Sequence, residues 1–139
     1  MKIYFAASIR GSRDDQHLYQ ELIEFLNQDN SVLTEHVGNP NLTSDGQKTL
    51  SDHEIRTRDI NWLQESDVVV AETTHPSLGV GYELAYAEKI NKPVIILHRK
   101  AETKLSAMIN GTDYFKNVNY YSSLAEAERI LKTRLNELN

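Results

Sequence analysis

Residues 66–90 read SDVVVAETTHPSLGVGYELAYAEKI and carry the main signal for the fold. The three valines at 68–70 form a β-branched run without polar alternation, which is typical of a central strand covered on both faces. We therefore predict a strand over residues 67–71. Pro76 and two glycines then indicate a loop. A helix follows, because apolar residues recur at i, i+4 and i+7, namely Val80, Leu84 and Ala87.

Glu83 lies on the inward side of this helix, in what we predict to be its first turn. At about 100° per residue it falls between Ala87 and Ile90, whereas Glu88 and Lys89 fall elsewhere. A carboxylate just after the carboxyl end of a buried strand sits where ligands bind in open α/β sheets. The helix dipole alone also stabilises a first-turn acid, so spacing leaves a functional and a structural interpretation open.

The composition is that of an ordinary soluble domain. The 139 residues are 40% hydrophobic and 25% charged, which suits one domain, 1–139, with its own core. No apolar run is long enough to span a bilayer, and the start MKIYFAASIR leads into a strand without a signal-like segment. We expect a mature intracellular protein, cytoplasmic or, from a eukaryotic source, nuclear.

Cysteine usage and charge exclude several classes of function. The absence of cysteine excludes disulfides, thiolate metal sites and a cysteine nucleophile. The five histidines do not pair at a metal-binding spacing such as HExxH. A net charge of −5 without a basic tract makes duplex nucleic acid an unsuitable partner, but it does not exclude a small phosphorylated ligand.

The first strand, predicted over residues 2–7, leads into the loop ASIRGSR at 7–13. Loops between a strand and a helix offer free backbone N–H groups to anions, and Arg10 can add a bidentate contact. The motif is neither a P-loop nor GxGxxG. Taken alone, it is better explained as a polar turn with a solvated arginine.

The next segments predict a helix, a strand and a long loop. Residues 14–28 contain apolar residues at helical spacing, and a second strand is predicted over 31–34. His36 lies beyond the carboxyl end of that strand and is a candidate ligand contact, although a lone loop histidine is more often structural or solvated. Residues 38–51 are polar and predict a mobile loop, long enough for a lid.

The helix predicted over residues 52–65 carries an acid on its apolar face. Asp59 projects near the middle of that face, which is defined by Ile55, Trp62 and Leu63. A buried acid is costly unless it is paired, hydrogen-bonded or protonated. Burial would raise its pKa, as a general acid at neutral pH requires. The structural alternative is an ion pair of Asp59 with Arg56 or Arg58.

The rest of the chain predicts strands at 94–97 and 118–121, a helical turn within 104–111 and a closing helix from Leu124. Alternating strands and helices with β-branched central strands indicate an α/β fold, namely a single doubly wound (Rossmann- or flavodoxin-like) domain. We expect five parallel strands in the order 2-1-3-4-5.

The two inward carboxylates, Asp59 and Glu83, would flank one crevice. This arrangement fits cleavage of a glycosidic bond, in which one group acts as the acid and the other as the nucleophile or base.

Five segments in register resemble the nucleoside 2-deoxyribosyltransferase superfamily, and within it the 2′-deoxynucleoside 5′-phosphate N-hydrolases. The resemblance covers nearly the whole chain in order, and residues 38–51 are the least similar part. The five segments are YFAASIRGSRDD (4–15), LTEHV (33–37), RDINWLQESDVVVAE (58–72), PSLGVGYEL (76–84) and LSAMI (105–109).

The resemblance implies hydrolysis of a deoxynucleoside monophosphate to a free base and 2-deoxyribose 5-phosphate, with no cofactor and no metal. Glu83 would be the nucleophile that captures C1′, Asp59 would protonate or orient the departing base, and Tyr4 would hold Glu83 by a hydrogen bond. The implied substrate-binding residues are Ala7, Ser8, Ile9, Arg10, Gly11, His36, Ile55, Ser77, Gly79, Ser106, Ala107 and Met108.

These residues divide by the part of the substrate that they would contact. The 5′-phosphate would be bound by Ser8, Arg10 and Ser77, with backbone N–H groups near Gly11 and Gly79. The base-side wall is generic and apolar, so it does not determine which base is preferred; it consists of Ile9, Ile55, Leu63 and Met108.

The same resemblance implies a homodimer with two composite sites. The LSAM segment of the family reaches into the neighbouring subunit's site, so Ser106 and Met108 would contribute to the partner's active site.

Relatives that act on unphosphorylated nucleosides carry an aspartate six residues before the nucleophile, where this chain has Ser77. A serine donates a hydrogen bond to a 5′-phosphate, whereas an aspartate repels it. We therefore predict monophosphate hydrolysis, with base exchange by a transferase or non-catalytic nucleotide binding as the alternatives.

Overall fold

The computed structural model describes residues 1–9, 15–39, 41, 49–100 and 103–139. Within these ranges five strands form one sheet in the order β2-β1-β3-β4-β5, and every neighbouring pair is parallel. This confirms the predicted doubly wound α/β fold and its strand order. The strands are β1 (Lys2–Ala6), β2 (Ser31–Val32), β3 (Val68–Glu72), β4 (Val94–Arg99) and β5 (Val118–Tyr121).

Helices cover both faces of the sheet. They are α1 (Gln16–Leu26), α2 (Asp52–Glu65), α3 (Leu78–Lys89), α4 (Ala107–Asn110) and α5 (Leu124–Glu137), with short 3₁₀ turns at Glu35–Gly38 and Asp113–Phe115. No helix in the described ranges is long and apolar enough to cross a membrane.

Two apolar layers bury the sheet, one on each face. The layer beneath α1 and α5 includes Ile3, Phe5, Leu22, Val68, Val70, Leu97 and Leu131. The layer beneath α2 and α3 includes Tyr4, Leu63, Val69, Ala71, Val80, Leu84 and Ala87. Because side chains alternate along a strand, Tyr4 points away from its two neighbours in β1. It points toward the helices that carry Asp59 and Glu83.

β1 and β3 lie side by side, with Phe5 opposite Val70 and Ala6 opposite Ala71. The chain leaves β1 toward β2 on one side, and it leaves β3 toward β4 on the other. The loops that follow these two strands therefore separate at their carboxyl ends and leave a crevice. Ligands bind at such a switch point in open α/β sheets.

The start of α3 corrects one expectation. Ser77 is the N-cap, and its Oγ accepts a hydrogen bond from the Val80 N–H at 3.3 Å. The helix thus begins at Leu78, so Glu83 lies in the second turn rather than the first. Because the dipole effect falls off within the first turn, helix-dipole stabilisation does not explain this acid.

Element boundaries differ from the prediction mainly around β2. The Thr34 hydroxyl donates to the Phe5 carbonyl at 2.7 Å and accepts from the Phe5 N–H at 2.8 Å. This side chain replaces the backbone ladder, so β2 has only two residues instead of four. His36 lies in the 3₁₀ turn that follows rather than in an open loop. Most of the loop predicted over 38–51 lies outside the described residues.

The other boundaries agree with the sequence to within one or two residues. α2 spans the predicted residues because Ser51 and Glu54 form a capping box at its start. β3 is shifted by one residue, α1 is shorter than predicted, and β4 extends to Arg99. The predicted turn near residue 107 is a four-residue helix.

Candidate active site

Asp59 of α2 and Glu83 of α3 line one cavity of about 260 Å³. The cavity is completed by Arg56, Ile60, Gly79 and Tyr82. A Cβ atom at position 79 would lie 3.9 Å from Glu83 Oε1. Glycine at this position therefore keeps one side of the carboxyl group open to a ligand.

Tyr4 connects the sheet to this cavity. Its side chain is 2% exposed, and its hydroxyl donates a hydrogen bond to the Glu83 carboxyl group. Burial, followed by the negative charges of Glu83 and Asp59, raises the pKa of the Tyr4 phenol. The phenol therefore stays protonated and acts as a donor at every physiological pH.

Both carboxyl groups have raised pKa values. Burial raises the pKa of Glu83 to about 8, and the charge of Asp59 contributes, while the hydrogen bond from Tyr4 opposes the shift. Burial also raises the pKa of Asp59, against a hydrogen bond and a positive charge from Arg58. Near neutral pH the pair therefore holds a proton, because the pKa of Glu83 lies above 7. One protonated and one ionised carboxyl group form the combination needed by a general acid and a nucleophile.

Asp59 also makes the ion pair that the sequence offered as its structural alternative. Arg58 Nε and Nη2 lie 3.0 and 2.8 Å from Asp59 Oδ1. The Arg58 guanidinium carbon lies 4.7 Å from the centre of the Trp62 ring. Arg56, the other candidate, instead donates to the Tyr82 hydroxyl at 2.8 Å. The two interpretations of Asp59 are therefore compatible, because it is paired with Arg58 and also lines the cavity with Glu83.

His36 belongs to the same group of side chains. Its ring centre lies 5.8 Å from that of Trp62, and Arg58 Nη2 lies 3.4 Å from His36 Nε2. The 3₁₀ turn after β2 is thus joined to α2 at the edge of the crevice. Ile55 lies half-buried one turn before Asp59 on the same helix.

Ser8 lies just beyond the carboxyl end of β1. It is fully buried, and its Oγ has no hydrogen-bond partner in the structure as described. A buried hydroxyl without a partner is costly, and a ligand oxygen would satisfy it. Ala7 and Ile9 flank it, buried and half-buried. Arg10 and Gly11, the other residues expected here, lie outside the described residues.

The α4 segment does not reach the carboxylates of its own chain. Ser106 and Met108 line a separate cavity of about 590 Å³, together with Ser77, Leu78 and Gly81 of α3 and its cap. Ser106 Oγ accepts from the Met108 N–H at 3.3 Å, and Ala107 is exposed. Of the expected substrate-binding residues, Ser106 and Met108 therefore line a cavity that does not include Glu83.

Sequence reasoning treated Arg58 only as a structural partner and Trp62 only as an apolar residue. Their i, i+4 spacing was an available signal, because it places a cation over an aromatic ring on one helix face. No sequence signal indicates that His36 lies beside Arg58 and Trp62, since that contact depends on how the turn after β2 packs against α2. Tyr82 was also missed as a cavity residue.

Three comparisons bear on the identity of the fold and site. The family model for nucleoside 2-deoxyribosyltransferase matches residues 3–119. The 5-hydroxymethyl-dUMP N-hydrolase of Tetraodon nigroviridis is 51% identical over 115 residues, 81% of each chain. A putative 2′-deoxynucleoside 5′-phosphate N-hydrolase 1 of Syntrophotalea carbinolica is 40% identical over 138 residues, which is 99% of this chain and 96% of that one.

A solved structure agrees at the level of the fold. A CMP N-glycosidase of Clostridium botulinum superposes with a TM-score of 0.66 over 98% of this chain and 99% of its own, at 22% identity. The family model spans most of the chain and includes the residues that line the Asp59–Glu83 cavity. The chain belongs to the nucleoside 2-deoxyribosyltransferase family.

Proposed function

We propose that this protein hydrolyses the N-glycosidic bond of 2′-deoxynucleoside 5′-monophosphates to a free base and 2-deoxyribose 5-phosphate. The observation that carries the proposal is the shared cavity of Asp59 and Glu83, whose pKa values are both raised. Relatives about half identical in sequence that are named for this hydrolysis support it over base exchange.

The reaction proceeds in two steps. The Glu83 carboxylate attacks C1′ as the bond from C1′ to the base nitrogen breaks, and the proton held by the carboxyl pair passes from Asp59 to the leaving base. Water then attacks C1′, Asp59 takes its proton, and the ester bond to Glu83 breaks. The Tyr4 hydrogen bond lowers the pKa of Glu83, so it favours the ionised nucleophile. A sugar without a 2′-hydroxyl reaches the oxocarbenium-like transition state more easily.

The phosphate is recognised at the other end of the crevice. The unpartnered hydroxyl of Ser8 and the α3 cap residue Ser77 supply donors without a competing negative charge. Backbone N–H groups at the start of α3, near Gly79, favour an anion through the helix dipole. Arg10 and Gly11 complete the phosphate site in this proposal.

We further propose that two copies form a homodimer in which α4 of each copy completes the partner's site. Leu78 and Met108 are 97% and 84% exposed, and Tyr82 is 52% exposed. Large exposed apolar side chains that lie together mark interaction surfaces. Ser106 and Met108 are separated from Glu83 within one chain, which also supports a role in a neighbouring site.

Chromatography of the reaction products tests the function directly. Purified protein is incubated with each deoxynucleoside monophosphate (including 5-hydroxymethyl-dUMP), the matching nucleosides and the ribonucleotides, with and without an excess of a second base. Free base from the deoxy monophosphates alone is expected. A new nucleotide built on the added base would identify a transferase, whereas no product from any substrate would favour a non-catalytic nucleotide-binding protein.

Two variants on α3 assign the chemistry to one carboxyl group. Glu83→Gln is expected to abolish turnover while retaining phosphate-dependent binding, because the phosphate contacts lie elsewhere. Glu88→Gln is the matched control, since Glu88 accepts from the Thr112 hydroxyl at 3.1 Å and lies outside the carboxylate cavity. Near-normal turnover by Glu83→Gln would refute the proposed nucleophile.

The composite site is tested by mixing two variants that are impaired at different residues. Ser106→Ala is expected to weaken binding of the monophosphate. A mixed dimer of Glu83→Gln and Ser106→Ala has one site with both wild-type residues, so its activity at low substrate concentration should exceed that of either parent. Analytical ultracentrifugation checks the dimer independently. A monomeric protein, or a mixture no more active than its parents, would contradict the composite site.

A further inference from the structure

We infer that Arg58 is a positioning residue that holds one oxygen of Asp59 and leaves the other oxygen for the substrate. The inference rests on the proposed hydrolysis and assigns a role to a residue outside the acid–nucleophile pair. Arg58 Nε and Nη2 both donate to Oδ1 of Asp59, at 3.0 and 2.8 Å. In the part of the chain that the structure describes, Oδ2 accepts no hydrogen bond.

This contact differs from an ordinary surface ion pair. A guanidinium commonly meets a carboxylate as a fork, with two parallel bonds to its two oxygens. Here both donors meet a single oxygen, so the second oxygen stays available on the side of the carboxyl group away from Arg58. Adjacent residues on a helix do not face each other, so the Arg58 side chain must bend back along α2 to make the contact.

Arg58 is itself held in place before any ligand binds. Its guanidinium packs over Trp62 at 4.7 Å, and its Nη2 lies 3.4 Å from His36 Nε2. The side chains of Arg58 and Asp59 are only 24% and 18% exposed. An ordered guanidinium loses less conformational freedom when it fixes its partner. The Asp59 carboxyl group is therefore oriented in advance, as catalytic groups need to be.

The charge of Arg58 has a second consequence for the carboxyl pair. Arg58 lowers the pKa of Asp59, whereas burial raises it. The ionisable groups around Asp59 are Arg56 and Arg58 of α2, Glu83 and Tyr82 of α3, Tyr4 of β1 and, through Arg58, His36 of the 3₁₀ turn. Without Arg58, the ionised Asp59 carboxylate loses a favourable interaction. The ionisation of Asp59 then moves to higher pH.

Kinetics over pH 5 to 9.5 separate positioning from a purely structural effect. In Arg58→Gln we expect the acid limb of the kcat/KM profile, which reports the first ionisation of the pair, to move up by about 1 pH unit. Activity on the acid limb should then be about tenfold lower, while the alkaline limb should stay near its wild-type position. Arg58→Lys should keep the limbs near their wild-type positions but lower kcat, because an ammonium cannot hold one oxygen through two fixed donors. Arg129→Gln, which removes the same charge from an exposed position of α5, should leave the profile unchanged.

A binding-independent measurement distinguishes failure of this inference from failure of the proposed function. The carboxyl carbon resonance of Asp59, identified by its loss in Asp59→Asn, is titrated by NMR in the wild type and in Arg58→Gln. A titration at higher pH in Arg58→Gln supports the inference whether or not any nucleotide is hydrolysed. An unchanged titration, or a uniform loss of kcat with unmoved limbs in a protein that is still folded by circular dichroism, would overturn it.

Discussion

Replacing the Glu83 carboxyl group should stabilise this protein at alkaline pH while removing its proposed nucleophile. The native pKa of Glu83 is raised to about 8 from an ordinary value of 4.5. Between these values the native state binds more protons than the unfolded state does, so stability falls as the pH rises. The loss begins above pH 4.5 and is complete above pH 8. Glu83→Gln has no proton to lose, so it should escape this part of the decline.

The size of the effect follows from the shift. The difference of about 3.5 pH units, at about 1.4 kcal/mol per unit, gives an upper limit of about 5 kcal/mol. Glu83 is partly exposed, and solvent reduces the cost of its charge, so we expect about 2 to 4 kcal/mol. The free energy of unfolding of Glu83→Gln, relative to wild type, should rise by this amount from pH 5 to pH 9.

Urea unfolding at a series of pH values and one fixed protein concentration measures the difference. The fixed concentration matters because association contributes to apparent stability. The matched control is Glu24→Gln, a change at an exposed position of α1, which should follow the wild-type curve. Parallel curves for wild type and Glu83→Gln from pH 5 to pH 9, with equal m values, would refute the view that the Glu83 charge is desolvated in the native state.

Three further substitutions test the packing around the site. Gly38→Ala should destabilise by about 1 to 3 kcal/mol in urea unfolding, because its Cβ would lie 3.0 Å from the Gln20 Cα atom. Gly81→Ala should instead stabilise α3 by about 0.5 to 1 kcal/mol, because no atom lies within 4 Å of the added Cβ. A loss of stability in this variant would show that the added methyl group meets other atoms. Tyr121→Phe removes a 2.9 Å hydrogen bond to the buried Glu72 carboxylate. The free energy of unfolding should fall by about 1 to 3 kcal/mol. The loss should be larger at pH 8 than at pH 5, because the phenol stabilises the ionised form of Glu72. An equal loss at both pH values would argue against an ionised Glu72.

The sequence was sufficient to predict a strand or helix where a single local interaction or a periodic pattern of apolar residues determines it. The valines at 68–70 predicted a central strand, and all of β3 is buried. Residues 52–65 predicted α2, whose capping box between Ser51 and Glu54 is itself a local interaction. The strand order was predicted by analogy with flavodoxin-like folds that share this alternation of elements, and the structure confirms it. Boundaries shifted where a side chain from elsewhere intervened, as Thr34 does by bonding to Phe5.

For the candidate site, the inward direction of Asp59 and Glu83 could be predicted from helical spacing. The two groups share one cavity only because α2 and α3 pack on the same face of the sheet. The choice between an ion pair and a functional role for Asp59 also needed the structure. Both are present, because Arg58 occupies only one oxygen.

The sequence by itself determined the fold class and which carboxylates point inward, because helical and strand periodicities act over a few residues. Tertiary structure decided the raised pKa values of the carboxyl pair and the arrangement of Arg58 with His36 and Trp62. It also separated Ser106 from the Glu83 of its own chain. The physical reason is that desolvation and charge coupling depend on groups distant in sequence, which only the packing of the helices and loops brings together.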